Sequence, residues 1–297
     1  MLIYNPTAGA LCHDLQQIEK LIATLNRRGI AAVPSPTCHA GHAIELARQA
    51  MANKDPFVIV CGGDGTINEV AQALVGTETA MAVWPCGTAN VLAEELRLPK
   101  RHEALAKLIA ENSIRTISVG RAVKPETGWQ RYFLLMAGIG LDAAVVQSVN
   151  LNLKKKFGKG AYLAAGLDFL ARMPLMPFSV GFNDRKHEST FTVISNAANY
   201  ASFFTLAPGA RIDDDKLNVC VFNSRSRMAY LSYAALSLVG KHTASPGVVY
   251  QETGQAHANS NDDVPVQIDG DLVGKLPMGF EIVPEALRIF APQGRKP

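Results

Sequence analysis

Residues 62–66 read Gly-Gly-Asp-Gly-Thr, and they stand between an apolar run, Phe57 to Cys61, and a helix-period stretch, Thr66 to Val75. The order is strand, glycine loop, helix start. Such a loop presents backbone N–H groups where a helix N-terminus already carries partial positive charge, and phosphate binds there. The glycines let the main chain approach an anion with no side chain in the way. Asp64 is the odd member, because a carboxylate beside a phosphate repels it unless a divalent cation sits between them. The loop therefore points to a nucleotide, a metal and phosphoryl transfer. A plain strand–helix turn is the simpler reading. Three glycines with an embedded Asp, followed by Thr66, Asn68 and Glu69, are more than such a turn requires.

The elements that must hold this loop alternate along the first third of the chain. Leu2–Tyr4 reads as a short strand. Leu15, Ile18, Ile22 and Leu25 fall on one helical face, with Gly29 as the stop. Ile30–Val33 reads as the next strand, and Gly41 to Met51 as a helix with Ile44, Ala47 and Met51 inward. Phe57–Cys61 is a strand without polar alternation, as both-face burial requires. The helix after the loop buries Ile67, Val70, Ala71, Leu74 and Val75. Met81–Trp84 is a strand, followed by Pro85-Cys86-Gly87-Thr88-Ala89-Asn90, a short helix, and a further helix over Arg101–Glu111. This alternation predicts a parallel sheet with helices on its faces.

After about Ile114 the texture changes. Strands are expected at Thr116–Ala122, Tyr132–Ala137, Phe178–Phe182, Thr190–Ser195, Leu217–Asn223, Val264–Ile268, Met278–Val283 and Leu287–Phe290. Helical pieces interrupt them at Leu141–Asn150, Gly158–Met173 and Arg227–Val239. Consecutive strands with turns between them predict an antiparallel sandwich. The expected architecture is an α/β nucleotide-binding domain over residues 1–118 and a mostly antiparallel β-sandwich over 119–297. Whether the last strand returns to the first domain is left open.

Composition narrows the classes. Of 297 residues, 48% are hydrophobic, enough for a true core and unlike a disordered chain. A net charge of +3 is too small to argue for nucleic acid as a partner. The five cysteines are an odd number with no CxxC, which speaks against a disulfide framework or a zinc site. The seven histidines show no HxxxH spacing. No stretch approaches the roughly 18–20 uninterrupted apolar residues of a spanning helix, and no signal peptide opens the chain. A soluble, cytoplasmic protein is expected. Its oligomeric state is unreadable, so an oligomer stays open.

The glycine loop alone is shared by several kinases, and the surrounding blocks narrow the choice. Asn5-Pro6-Thr7-Ala8-Gly9 ends the first strand. Gly62-Gly63-Asp64-Gly65-Thr66-Ile67-Asn68-Glu69-Val70 follows the third, and Pro85-Cys86-Gly87-Thr88-Ala89-Asn90 the fourth. Gly138-Ile139-Gly140-Leu141-Asp142-Ala143 opens the second domain, and Gln267-Ile268-Asp269-Gly270-Asp271 lies near the end. In this order, and over nearly the whole chain, they resemble the diacylglycerol kinase catalytic-domain family in its short bacterial lipid kinase form, which is itself related to sphingosine and ceramide kinases.

The resemblance implies ATP and Mg²⁺ as cofactors and a lipid alcohol as acceptor. Asn5, Pro6, Thr7, Ala8, Gly9, Thr37, the run Gly62, Gly63, Asp64, Gly65, Thr66, Ile67, Asn68 and Glu69, and Gly87 with Thr88 match ATP-contacting positions. The carbonyls of Arg211 and Lys216 and the carboxylate of Asp214 match a Mg²⁺-holding loop. Asp269-Gly270-Asp271 matches the motif of the catalytic carboxylate. Most relatives have Glu at the second acidic place, so the shorter Asp271 leaves Asp269 as co-candidate. In this reading Asp64 holds or orients Mg²⁺, partly through water, and Asp271 or Asp269 accepts the hydroxyl proton. Each site has a plainer reading. Asp213-Asp214-Asp215 also makes a solvated acidic turn, Asp-Gly-Asp a good hairpin turn, and Asp142 a helix N-terminal residue.

A lipid substrate needs access to a bilayer. Lys154-Lys155-Lys156-Phe157-Gly158-Lys159 precedes an amphipathic stretch with Tyr162, Leu163, Leu167, Phe169 and Leu170, which suits an anionic surface. Alone it reads rather better as a core-packing helix with a solvated lysine turn. The resemblance favours peripheral contact with the inner membrane surface. Diacylglycerol, phosphatidylglycerol, a sphingoid base and a polyprenol are all candidate acceptors. The competing readings are an NAD kinase-like enzyme or another small-molecule kinase with the same loop, and a non-catalytic lipid- or nucleotide-binding regulator. The Asn-Glu and Thr-Pro-Thr-Gly-Ser patterns of NAD kinases are missing downstream, and the intact acids Asp64, Asp214, Asp269 and Asp271 speak against lost catalysis.

Overall fold

A computed structural model describes residues 1–9, 11, 14–141, 143, 175–200 and 204–293. The chain divides into two compact units, Met1–Val119 with Val283–Pro297, and Gly120–Ile282.

The first unit runs β1 (Leu2–Tyr4), α1 (Gln16–Asn26), β2 (Pro34–Pro36), α2 (His42–Ala52), β3 (Phe57–Gly62), α3 (Asp64–Leu74), β4 (Ala80–Pro85), α4 (Val91–Glu95) and α5 (His102–Ala110). The strands pair in parallel in the order β2-β1-β3-β4, with Leu2 opposite both Pro34 and Ile59 and Phe57 opposite Ala80. The order reverses between β1 and β3, so the loops after these strands flank a topological switch point, where open α/β sheets place ligands. Leu2, Ile59, Leu21, Leu25, Leu105 and Phe290 share one core.

Local details depart from the pattern of the sequence. Ile30–Val33 is not a strand; β2 lies at Pro34–Pro36 and Val33 is exposed. An edge strand tolerates prolines that a central ladder excludes, and apolar content does not locate an edge. Leu15 precedes α1 and is exposed. Helix α2 buries Ala43, Ala47 and Ala50 rather than Ile44 and Met51, and it packs chiefly on α3.

Two strands, β5 (Ile114–Lys124) and β18 (Met278–Phe290), carry the chain from one unit to the other. The C-terminal half of β18 belongs to the first unit, where Ile289 pairs in parallel with Met81 of β4.

The second unit holds β6 (Trp129–Phe133), β7 (Met136–Gly140), β8 (Phe178–Phe182), β9 (Arg185–Ser189), β10 (Phe191–Ser195), β11 (Asn199–Tyr200), β12 (Phe204–Thr205), β13 (Leu217–Phe222), α6 (Arg227–Ser237), β14 (Val248–Thr253), β15 (Gln255–Asn259), β16 (Pro265–Ile268) and β17 (Asp271–Lys275). One antiparallel sheet has the order β14-β13-β10-β7-β16-β17. A second layer joins β18 to β15, β15 to β8 and β8 to β9, with β5 and β6 as a further pair. Ile139, Ile194 and Val219 of the first layer meet Phe133, Val180 and Phe280 of the second in one core. This is the expected β-sandwich.

Two expected boundaries move. Tyr132–Ala137 is interrupted at Leu134-Leu135, between β6 and β7, and the two C-terminal strands are one strand with Glu285 at φ 47°. Strands β9, β14 and β15 escaped the sequence pattern because most of their side chains reach solvent. Asp142, the lysine run 154–159, the apolar stretch 162–170 and almost all of the expected helices 141–150 and 158–173 lie outside the described residues. Among the described residues no helix is long and apolar enough to cross a membrane.

Candidate active site

Three loops of the first unit meet at the carboxyl ends of its parallel strands. Gly63 follows β3 and Gly87 follows β4. A Cβ built on Gly87 would stand 2.4 Å from the Gly63 Cα, and one on Gly63 3.2 Å from the Gly87 Cα. A Cβ on Gly9, in the loop after β1, would stand 2.3 Å from the Cys86 carbonyl oxygen. These glycines are required by backbone-to-backbone approach. Gly62 is pressed by Thr66, whose Cβ would lie 2.7 Å away, whereas Gly65 has open space around it.

Asn5 ties the first two loops. Its amide donates to the Cys61 carbonyl at 3.0 Å, its Nδ2 to Thr66 Oγ1 at 3.4 Å, and its Oδ1 accepts from Thr7 N and Oγ1 at 2.9 and 2.8 Å. Pro6 and Ala8 complete this turn, half-buried. Thr37 is joined to β1 through its amide, which donates to the Tyr4 carbonyl at 2.8 Å. Thr88 is exposed at the tip of the third loop. Ile67 is fully buried and Asn68 nearly so. Asn68 accepts from Gln72 Nε2 at 3.0 Å. These two positions support the loop from behind.

Helix α3 deals with its neighbours in an unequal way. Glu69 accepts from the amides of Gly41 at 2.9 Å and Ala43 at 3.3 Å, which closes the start of α2. Asp64 accepts from the Leu92 amide at 3.3 Å, at the start of α4. Burial pushes the Asp64 carboxyl above its ordinary range, against the amides of Val91, Leu92 and Asn90, which pull it down. Neither α2 nor α4 has a side-chain cap from its own N-cap residue; α3 supplies both from outside. The N-cap of α3 itself is Gly63, with no side-chain cap. The first-turn amides of Gly65 and Thr66 lie beyond the reach of the helical ladder and need an acceptor. The helix that closes both neighbours is itself open at its positive end, beside the close approach of Gly63 and Gly87.

In the second unit the two acids of Asp269-Gly270-Asp271 part company. Asp269 and Gly270 have φ of 47° and 91° and form the two-residue turn between β16 and β17. Positive φ at both central positions is what a type I′ hairpin demands. The Asp269 carboxylate accepts from the amides of Leu134 at 2.7 Å, Leu135 at 3.0 Å and Met136 at 2.9 Å. Its lone pairs are engaged in holding the β6–β7 connection. Asp271 is exposed and, among the described residues, pairs with the Arg131 guanidinium at 2.6 Å. Of the two it is the acid with lone pairs available for a proton.

The loop before β13 closes with the Asp214 amide donating to the Arg211 carbonyl at 3.0 Å. The Arg211 side chain turns to Asp213 at 3.4 Å and Lys216 to Glu252 at 3.8 Å. Among the described residues the Asp214 carboxylate has no ion-pair partner. One free carboxylate and backbone carbonyls within a single turn are a hard, oxygen-only donor set, which fits Mg²⁺ or Ca²⁺.

Comparison with known proteins accounts for both units. Residues 1–122 match the model of the diacylglycerol kinase catalytic domain. Residues 136–291 match the YegS C-terminal NAD kinase beta sandwich-like domain. The chain belongs to the family that joins these two domains. It is therefore a phosphotransferase of the lipid kinase kind with an alcohol acceptor, and membership implies ATP as phosphate donor. A diacylglycerol kinase of Staphylococcus carnosus (strain TM300) is 25% identical over 300 residues, covering 99% of this chain and 95% of the relative. One from Staphylococcus aureus (strain JH9) is 27% identical over 296 residues, with 98% and 91% covered. A crystal structure described as a diacylglycerol kinase from Bacillus anthracis str. Sterne superposes with a TM-score of 0.78 at 22% identity, covering 98% of this chain and 96% of that one. Another from the same organism reaches 0.80. These two likenesses concern the fold.

Sequence reading overlooked two residues. Asn90, at φ 54°, accepts from the Gly87 amide at 2.8 Å and donates to the Gly87 carbonyl at 2.7 Å, locking the third loop. Its signal was available, since Asn tolerates the left-handed region a tight turn uses. Arg131, the partner of Asp271, is the one charged residue of β6, and nothing in the sequence ties it to a residue 140 positions away.

Proposed function

We propose that this chain transfers the γ-phosphoryl group of ATP, with Mg²⁺, to the hydroxyl of diacylglycerol or a closely related lipid alcohol. The observation that carries this reading is the open N-terminus of α3 beside the Gly63–Gly87 contact. There the amides of Gly65 and Thr66 supply donors to phosphate oxygens, and a Cβ built on Gly65 would meet nothing within 4 Å. Asn5, Thr7, Gly9, Thr37 and Thr88 line the approach from the neighbouring loops.

Each acid then has its own task. Asp271 accepts the hydroxyl proton and aims the oxygen lone pair at phosphorus; Arg131 holds its carboxylate in place. Asp269 positions the turn on which Asp271 stands. Asp64 keeps the third loop against α3 through the α4 amides. Its charge has no basic ion-pair partner among the described residues, so a Mg²⁺ near the phosphates would offset it. Asp214 and the carbonyls of Arg211 and Lys216 fit a second, oxygen-lined cation position. Bound Mg²⁺ would neutralise phosphate charge as the bond to the leaving oxygen loosens. The protein works at the inner membrane surface, where its acceptor resides.

The test is transfer of label from γ-labelled ATP to a lipid panel of diacylglycerol, phosphatidylglycerol, a sphingoid base and a polyprenol in mixed micelles. Diacylglycerol should take the label, and chelation of Mg²⁺ should abolish transfer. Labelling of NAD in place of every lipid would sink the reading.

A further inference from the structure

Helix α6 lies in the second unit and is held on its inner side by two tyrosines. Tyr230 and Tyr233 are buried. The Tyr230 hydroxyl meets Thr190, and Tyr233 donates to the Pro246 carbonyl at 2.7 Å. The Phe222 ring packs on both. Burial of this face is complete without help from anything outside.

The opposite face is not the polar surface an amphipathic helix normally turns to water. Met228, Leu231, Leu238 and Val239 are 72%, 37%, 55% and 65% exposed. Counted from Met228 they stand at i, i+3, i+10 and i+11, with exposed Ala235 at i+7, which is one stripe along the helix and the turn that follows it. The stripe is flanked by exposed cations, Arg225 and Arg227 at its start and Lys241 at its end. No Asp or Glu occurs between residues 224 and 251. At the start of the helix a cavity of about 420 Å³ is lined by Leu175, Arg225, Ser226, Arg227 and Met228, so two basic and two apolar residues border the same space.

We infer that this face of α6 docks the protein on an anionic bilayer. The apolar stripe enters the interface, and Arg225, Arg227 and Lys241 meet lipid phosphates. Charge decides the occupant. A second copy of the chain, related by a two-fold axis, would bring the same uncompensated cations face to face. An anionic leaflet accepts apolar side chains and cations together. The site deepens the lipid kinase reading and rests on it for the location of the acceptor, while vesicle binding itself can be measured without any turnover.

The experiment uses the full chain and vesicles of phosphatidylcholine, with or without an equal share of phosphatidylglycerol, in co-sedimentation at low and high salt. The wild-type protein should bind the anionic vesicles and release them as salt rises. The pair Arg225→Glu/Arg227→Glu should weaken partitioning by roughly 25-fold or more, at about fivefold for each arginine near the surface. The pair Met228→Ser/Val239→Ser should weaken it with charge unchanged. Both pairs alter exposed side chains, so their melting temperatures and their turnover of a monomeric short-chain diacylglycerol should match wild type. Unchanged vesicle binding in both pairs overturns the inference, as does equal capture of wild type by neutral vesicles. Conversion of a wild-type dimer to monomer by these pairs, with vesicle binding intact, also overturns it and makes the face a subunit contact. Normal binding behaviour with no lipid phosphorylated at all would leave the docking face standing and remove the kinase reading instead.

Discussion

The glycine loops of the first unit and the Asp269-Gly270-Asp271 turn of the second were both singled out as sites, yet they are built on opposite plans. Around Gly9 and Gly87 the main chains crowd so closely that a Cβ would collide, and at Gly63 one would be tight. What is presented there is backbone, and the charged side chains of α3, Glu69 and Asp64, brace the starts of α2 and α4. In the hairpin turn the backbone is ordinary and the side chains matter. One acid is consumed by three amides and its neighbour two positions on is left to solvent and Arg131. Glycine marks a site by what it omits, and an acid marks one only after its partners are known.

The sharpest way to break this contrast is to exchange the two acids' fates by substitution. Asp271→Asn keeps the shape of an exposed side chain and removes the proton acceptor. Turnover should fall by about 10²–10⁴-fold, with KM for ATP and the melting temperature almost unchanged. Asp269→Ala should do the reverse at the level of the fold, since it strips acceptors from the amides of Leu134, Leu135 and Met136. At roughly 1–3 kcal/mol for each buried group left unpaired, the loss approaches the stability of a whole domain. Denaturant unfolding read in parallel with turnover separates the two. If Asp269→Asn and Asp271→Asn proved equally inactive with equally intact folds, the division of labour drawn here would be wrong.

The first unit offers its own internal contrast. Gly87→Ala drives a methyl group into the Gly63 backbone and should cost about 1–3 kcal/mol as overpacking, together with nearly all ATP binding. Gly65→Ala, two positions after Gly63, meets nothing within 4 Å and lies inside α3. It should hold or raise stability by up to about 1 kcal/mol, as the change from Gly to Ala in a helix does. Any drop in its ATP affinity, measured calorimetrically, then reports the approach of a phosphate and not damage to the loop.

These cases mark where the sequence was legible. The glycines could be read because their identity records a local steric demand. The strand–loop–helix order could be read because burial on both faces leaves an apolar run such as Val58-Ile59-Val60. The directions of the acids could not. Asp64 and Glu69 reach amides 28 residues away or nearly so, and Asp269 holds a segment some 135 residues earlier. Spacing within a motif carries no information about such partners. The same limit applies to α6: a helix was expected over Arg227–Val239 and is found at Arg227–Ser237, but which of its apolar residues reach solvent could not be read.

Asp64→Ala and Glu69→Ala are the milder probes of the bracing. Each should remove an external helix cap worth about 0.5–2 kcal/mol, while Asp64→Asn, whose side-chain oxygen still accepts, should retain the fold. Should Asp64→Asn keep its melting temperature and lose turnover, the carboxylate's charge serves the reaction as well as the loop. Glu69→Gln keeps one acceptor oxygen for the two amides of Gly41 and Ala43, so it should lose less stability than Glu69→Ala and keep turnover.

Acid provides the gentlest test of whether the two units differ. Each contains one imidazole held below its ordinary range by burial, His102 against Trp84 in the first and His242 in the second. His242 is fully buried, donates from Nε2 to the Leu206 carbonyl at 3.1 Å and stacks on Phe222, and its Nδ1 has no partner. The half-exposed His102 can take up a proton at less cost. A folded-state value below the unfolded value of 6.5 means that the unfolded chain binds more protons as pH falls below 6.5. Stability is thus complete above that pH and declines beneath it, by up to about 1.4 kcal/mol per pH unit for one such group. The chain has two tryptophans, Trp84 in the first unit and Trp129 in the second, so Trp84→Phe and Trp129→Phe leave one fluorescent reporter in each. Between pH 7 and 5 the Trp129 signal should lose the greater share of its unfolding midpoint. His242→Phe, which keeps a ring on Phe222 but cannot be protonated, should flatten that loss while lowering stability at pH 7 for want of the Leu206 bond. Equal slopes at both reporters would mean that the buried imidazole does not set the acid response of its unit.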